Sequence, residues 1–328
     1  MSELQRRAFL TLSGALLLSQ AAAQDAPWPE KLVPPPPPKV LPKAWLDAPR
    51  IPLWPGDPPG IAGFVPQPLP ADWSPAFLRN VSRPELRVFR PKRSNGVALL
   101  VIPGGSYSFV ASTNEGVELA QRMTPSGTTV FVLMYRLPGE GWSKRSDVPL
   151  QDAQRAMRLV RANAARFEIH AEKIFSLGFS AGGHLAATLA TQHAEHTYEP
   201  VDAADEASPR PFATGLIYPV ITMDRTWTHA ESRTLLLGES PSQAEVERRS
   251  AERHVDANTP SVFIVHAFDD DAVPVENSLR FMDAMRAARR PVEAHLLQEG
   301  GHAFGVGFPN TVSAHWVPLF SSWMQRVT

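Results

Sequence analysis

Ile174-Phe175-Ser176-Leu177-Gly178-Phe179-Ser180-Ala181-Gly182-Gly183-His184 is the stretch that decides how this chain folds. An apolar run ends in G-x-S-x-G and passes at once into Leu185-Ala186-Ala187-Thr188-Leu189-Ala190, a pattern that predicts strand, very tight turn, then helix. A serine hydroxyl is a weak nucleophile, and it must stand clear of the backbone to meet both a base and an electrophile. Gly178 and Gly182 supply that clearance, because without side chains they let strand and helix pass close together around a strained Ser180. The helix beginning there aims free N–H groups and its positive dipole end at a forming oxyanion. The motif also arises by chance, so its surroundings must decide.

Outward from this elbow, apolar runs alternate with helical patterns from Leu86 onward. Residues 97–102, 129–135, 173–177, 215–221, 262–267 and 292–297 read as strands, and short runs of this kind suit a parallel sheet covered on both faces. Leu150, Ala153, Met157, Val160, Ala164 and Phe167 recur at steps of three and four, as do Val312, Trp316, Leu319, Phe320 and Trp323; both stripes are helix faces turned to a core. Strand and helix in alternation predict an α/β fold, a single doubly wound, mostly parallel sheet with helices on both faces. Active sites in such sheets lie beyond the carboxyl ends of the strands.

That rule selects three further segments. Pro103-Gly104-Gly105-Ser106-Tyr107 follows the strand expected at 97–102, and its free N–H groups suit the second half of an oxyanion hole whose first half is the N–H of Ala181. Neither G-x-G-x-x-G nor G-x-x-x-x-G-K-[ST] is present, which argues against a nucleotide loop. Asp269-Asp270-Asp271 follows the strand at 262–267; one of these carboxylates is placed to hold an imidazole in its useful tautomer. No EF-hand spacing follows them, which argues against calcium. Gln298-Glu299-Gly300-Gly301-His302 follows the last strand, with two glycines that allow the loop to carry His302 over the sheet edge. His184, four residues past Ser180, reads as a packed or hydrogen-bonded helix residue. Serine, acid and histidine thus occur in the chain order of the α/β-hydrolase fold.

Composition narrows the classes. Among 328 residues the formal net charge is −1, which argues against nucleic-acid or anionic-membrane partners. The absence of cysteine excludes disulfides, thiolate nucleophiles and Cys-ligated zinc; no metal site and no cofactor are expected. Residues 1–23 read as an export signal: Arg6-Arg7, an apolar core too short to span a bilayer, then Ala21-Ala22-Ala23. Arg6-Arg7 ahead of Phe9-Leu10 resembles a twin-arginine signal, so a periplasmic or secreted location is expected, with no membrane span in the mature protein. A proline-rich extension over 24–50 precedes the domain expected over 51–328; residues 27–70 carry 16 of the 33 prolines and exclude regular helix or central strand. Residues 222–259, between two expected strands, read as a small cap.

The sequence resembles the carbohydrate-esterase branch of the α/β hydrolases, the acetyl-xylan-esterase-like and feruloyl-esterase-like proteins. Pro103-Gly104-Gly105-Ser106-Tyr107, Glu115-Gly116, Tyr135-Arg136-Leu137-Pro138, Pro149-Leu150-Gln151-Asp152-Ala153, Gly178-Phe179-Ser180-Ala181-Gly182-Gly183-His184, Asp270 ahead of Val273-Pro274, and Gly301-His302 carry the resemblance. Members usually have a third glycine where Ser106 stands. The resemblance implies Asp270 as the acid, and hydrolysis of acyl groups, acetyl above all, on plant polysaccharides such as xylan. It sets Ser180, Asp270 and His302 as the catalytic group and Gly105, Ser106 and Ala181 as the oxyanion hole. Tyr107 and Trp142 are candidates to offer flat faces to a sugar, the alternative for each being a packed ring. Feruloyl esterase or general carboxylesterase is the nearer rival; a prolyl-oligopeptidase-type peptidase and a non-catalytic sugar-binding protein are further ones. Nothing in the sequence speaks to oligomeric state.

Overall fold

Five runs rich in Val, Ile, Leu and Phe are buried along their length, the condition under which parallel strands pair with helices on both sides. The computed structural model describes residues 33–328. The strands are β1 Arg50–Pro52, β2 Phe77–Leu78, β3 Glu85–Phe89, β4 Ala98–Ile102, β5 Val110–Ala111, β6 Thr129–Met134, β7 Ile174–Phe179, β8 Ala213–Ile217, β9 Ser261–Ala267 and β10 Val292–Leu297. The helices are α1 Lys43–Asp47, α2 Glu118–Met123, α3 Val148–Ala162, α4 Ser180–Thr191, α5 Ala230–Leu237, α6 Gln243–Arg248, α7 Glu276–Ala287 and α8 Trp316–Val327.

Eight strands form one sheet in the order β1-β3-β6-β4-β7-β8-β9-β10. From β6 to β10 all neighbours are parallel, while β3 and β1 add an antiparallel edge. β2 and β5 pair apart from this sheet. The two faces can be read from β9: Phe263 packs on Phe320 and Trp323 of α8, while His266, an odd number of positions away, bonds Ser278 of α7 on the other side. The fold is that of the α/β hydrolases, as the alternation of patterns predicts.

Most strand boundaries agree with the periodicity to within two residues, with one informative exception. The run 215–221 is displaced: β8 starts at Ala213 and ends at Ile217, because Tyr218 has a φ of 36° and Pro219 follows. The apolar residues after it are buried outside the sheet. The stripe ending at Phe167 breaks at Ala162, with Ala165–Phe167 forming a separate 3₁₀ turn. The second stripe likewise opens with a 3₁₀ turn at Val312–His315 before α8.

The proline-rich extension meets the domain earlier than expected: Trp45 of α1 is in the core and β1 begins at Arg50. The export signal expected over 1–23 lies outside the described residues, as does the extension up to residue 32. No helix among the described residues is long and apolar enough to cross a membrane.

Candidate active site

Every expected site segment leaves the sheet at a carboxyl end: β4 into Pro103, β7 into Ser180, β9 toward Asp270 and β10 toward His302. At the elbow the crossing is tight. A Cβ on Gly178 would stand 2.1 Å from the carbonyl oxygen of Gly182, and one on Gly182 would stand 2.2 Å from that of Ile102. Only glycine fits at either place, and Ser180 takes a left-handed φ of 49° between them.

The Ser180 hydroxyl lies 2.9 Å from Nε2 of His302, and His302 Nδ1 lies 2.7 Å from Oδ2 of Asp270. A carboxylate only accepts, so Nδ1 carries the proton and Nε2 is left to accept from Ser180. Burial pushes the Asp270 carboxyl up, but the hydrogen bonds from His266 and His302 outweigh it and bring the group to about 2. The other oxygen of Asp270 accepts the N–H groups of Ala272 and Val273. Asp269 is turned elsewhere and accepts the N–H of Gly301, which steadies the loop that carries His302. The Tyr218 ring packs edge-on against His302, with centroids 4.9 Å apart.

Beside Ser180 the loop after β4 takes left-handed conformations at Gly105, Ser106 and Tyr107, with φ of 120°, 57° and 63°. Neither the Gly105 nor the Ser106 N–H donates to any group among the described residues. Both residues line the cleft that holds Ser180 and His302, and Ala181 lies in the first turn of α4, directly after Ser180. These groups have the free donors that an oxyanion needs.

Two expected sugar-facing residues are placed otherwise. Tyr107 is buried, its hydroxyl 2.8 Å from Nδ1 of His184, since the left-handed backbone turns its ring inward. His184 Nε2 in turn donates to the carbonyl of Arg249, so Tyr107 anchors the loop instead of meeting ligand. Burial, with the Arg249 charge adding to it, lowers His184 to about 4, and the ring is a neutral bridge. Trp142 is buried between Phe64, at 4.8 Å, and the Arg136 guanidinium, at 5.0 Å. Neither ring lines the cleft.

The cleft itself has a volume of about 580 Å³. Its walls include Phe77, Phe109, Asn114, Phe308 and the prolines of 34–38. None of residues 222–259 lines it, so α5 and α6 do not cap this opening.

Several residues that shape the site had no role assigned from the sequence. Glu115 is buried under the oxyanion loop, where one carboxyl oxygen accepts the Gly104 N–H at 2.6 Å and the other the Tyr218 hydroxyl at 2.9 Å. Burial raises its carboxyl against the lowering effect of those two donors. Tyr218 also accepts the N–H of Gly305, so this network joins the loop after β4 to the loop of His302. Arg136 and Asp152 form a buried pair that also takes in the Trp54 indole and the Gln151 amide. A charged side chain within an apolar repeat is the signal that marks Asp152; for Tyr218 no local signal exists.

A family model described as BD-FAE matches residues 86–285, well over half of the chain. The chain belongs to the BD-FAE family. This BD-FAE chain is 38% identical over 208 residues to endo-1,4-beta-xylanase B of Butyrivibrio fibrisolvens, covering 63% of itself and 32% of that protein. It is 31% identical over 238 residues to the acetylxylan esterase of Xylanibacter ruminicola, covering 70% of itself and 46% of the relative. It therefore spans about a third and about half of these two relatives. Among solved structures, the acetyl ester-xyloside bifunctional hydrolase from Caldicellulosiruptor lactoaceticus superposes with a TM-score of 0.70 at 32% identity, over 83% of this chain and 97% of that one.

Proposed function

We propose that this chain is a serine esterase that removes acyl groups, acetyl first among them, from xylan-type saccharides. The observation that carries the reading is the hydrogen-bonded line Ser180, His302, Asp270 at one end of an open cleft, beside the free N–H groups of Gly105 and Ser106. Relatives named acetylxylan esterase and acetyl ester-xyloside hydrolase support the choice of substrate.

In this reading His302 Nε2 takes the Ser180 proton as the oxygen attacks the ester carbon. The oxyanion is held by N–H groups of the loop after β4 and by that of Ala181. Collapse breaks the bond to the sugar oxygen, which takes the proton from His302 and departs as a hydroxyl, leaving an acyl group on Ser180. Water then repeats the sequence, with His302 again as base, and frees the acid. Asp270 stays ionised throughout and stabilises the imidazolium. The reaction as drawn needs no cofactor. Export through the signal read in residues 1–23 would bring the enzyme to its polymeric substrate.

The test is a panel of acetylated xylo-oligosaccharides, aryl esters of increasing acyl length and feruloyl esters. The expected result is acetate release, with specificity constants falling steeply beyond short acyl chains. A preference for feruloyl over acetyl esters would move the protein to the rival class.

A further inference from the structure

The cleft that meets Ser180 is lined by chemically unlike groups. A turn of π-helix at Thr113–Val117 runs directly into α2 and brings Asn114, Glu118 and Arg122 into the wall. Their spacing of four places them one above another along a single helical face. Phe77 and Phe109, with ring centroids 4.3 Å apart, line the same cleft, as do Phe308 and the prolines of 34–38.

Among the described residues the three polar heads are uncommitted: neither Glu118 nor Arg122 has an ion pair, and Asn114 Oδ1 is shut off from solvent with no hydrogen-bond partner. A buried amide oxygen left unpaired is costly, and a rotation of the half-buried Asn114 side chain that brings it to a ligand hydroxyl relieves that cost. Glu118 and Arg122 carry opposite charges, so the stripe has no net field to select a carboxylate or phosphate. Glu118 and Arg122 are exposed heads in the cleft lining, and a plain aliphatic ester would make no hydrogen bond with them. A neutral ligand with many hydroxyls does, and its C–H faces suit the aromatic rings.

We propose that Asn114, Glu118 and Arg122 form a subsite that binds the glycosyl part of the substrate, taking sugar hydroxyl groups beyond the residue that carries the ester. Glu118 accepts hydrogen bonds, Arg122 donates them, and the Asn114 amide does both. The assignment rests on the proposed action on sugar esters and adds to it the residues that recognise the saccharide chain.

Titration calorimetry of the full chain with unacetylated xylotriose tests it without recourse to turnover. The wild type should bind in the millimolar range or better, and Asn114→Ala and Arg122→Ala should each weaken binding about tenfold, the effect of one lost hydrogen bond. Arg122 is exposed, so its variant tests the subsite without disturbing the core, and thermal melts check both folds. In the same variants, the ratio of kcat/KM for acetylated xylo-oligosaccharide to that for 4-nitrophenyl acetate should fall by a similar factor. Absence of xylotriose binding, or equal binding by wild type and both variants, overturns the subsite. Xylotriose binding that depends on Asn114 and Arg122 without acetate release would sink the hydrolytic reading and leave the subsite standing.

Discussion

His266 stands directly behind Asp270, its Nε2 3.1 Å from the same carboxylate oxygen that faces His302. That nitrogen also donates toward the Val273 carbonyl at 3.0 Å, and the opposite ring nitrogen meets the Ser278 hydroxyl at 2.8 Å. The ring is fully buried, so Asp270 is held from both sides.

Replacing His266 by Phe should therefore reach the chemistry through Asp270. Removal of one of the two imidazole donors leaves the carboxylate less restrained, and turnover should fall on the order of tenfold, the effect of about one hydrogen bond to a charged group. Activity within twofold of wild type would remove His266 from this positioning role.

The nucleophile has a sharper test. Ser180→Ala should fold normally, as the elbow depends on the neighbouring glycines, and lose on the order of 10⁶ in turnover because nucleophile and base act as one unit. Substantial residual activity in contaminant-free protein would exclude Ser180.

The two adjacent aspartates should separate cleanly. Asp270→Asn stabilises the wrong His302 tautomer and should lower kcat on the order of 10⁴-fold. Asp269→Ala loses only the bond to the Gly301 N–H, so a decrease of roughly tenfold is expected. A reversed ranking in steady-state rates would transfer the acid's role to Asp269.

Acid stability should respond to His184. Its folded value, about 4, lies below the ordinary 6.5, so the unfolded chain binds the proton first as pH falls. The contribution is complete above about 6.5 and is lost on descending to about 4, a change of up to roughly 3 kcal/mol. Thermal melts of His184→Gln should show a shallower decline over that window than wild type. Parallel declines would mean that other groups govern it.

Legibility of the site followed the distance over which each feature is determined. The elbow is encoded in five consecutive residues, and strand ends place His302 and the run Asp269-Asp270-Asp271, while the choice of Asp270 within that run rests on the family resemblance. Tyr107 was misjudged because its direction depends on a left-handed backbone and on His184, 77 positions away. Trp142 is placed otherwise because Phe64, which packs on its ring, comes from a distant segment. The cleft lining was invisible for the same reason: Phe77 belongs to the short β2–β5 pair, Asn114 to the π-turn, and the prolines to an arm that read as a spacer.

Arg136 and Asp152, whose neighbourhoods helped reveal the family, are sealed away from the cleft and clamp the incoming segment through the Trp54 indole and the Pro59 carbonyl. Part of the pattern by which such a chain is recognised is thus joinery, beside the parts that build the Ser180 site. Kinship scored on Arg136 and Asp152 measures how the frame is fastened and says little about what lines the cleft. Phe77, Phe109, Asn114 and Arg122 line the cleft with no part in those fastenings, so the wall around Ser180 is free to change while the frame stays in place.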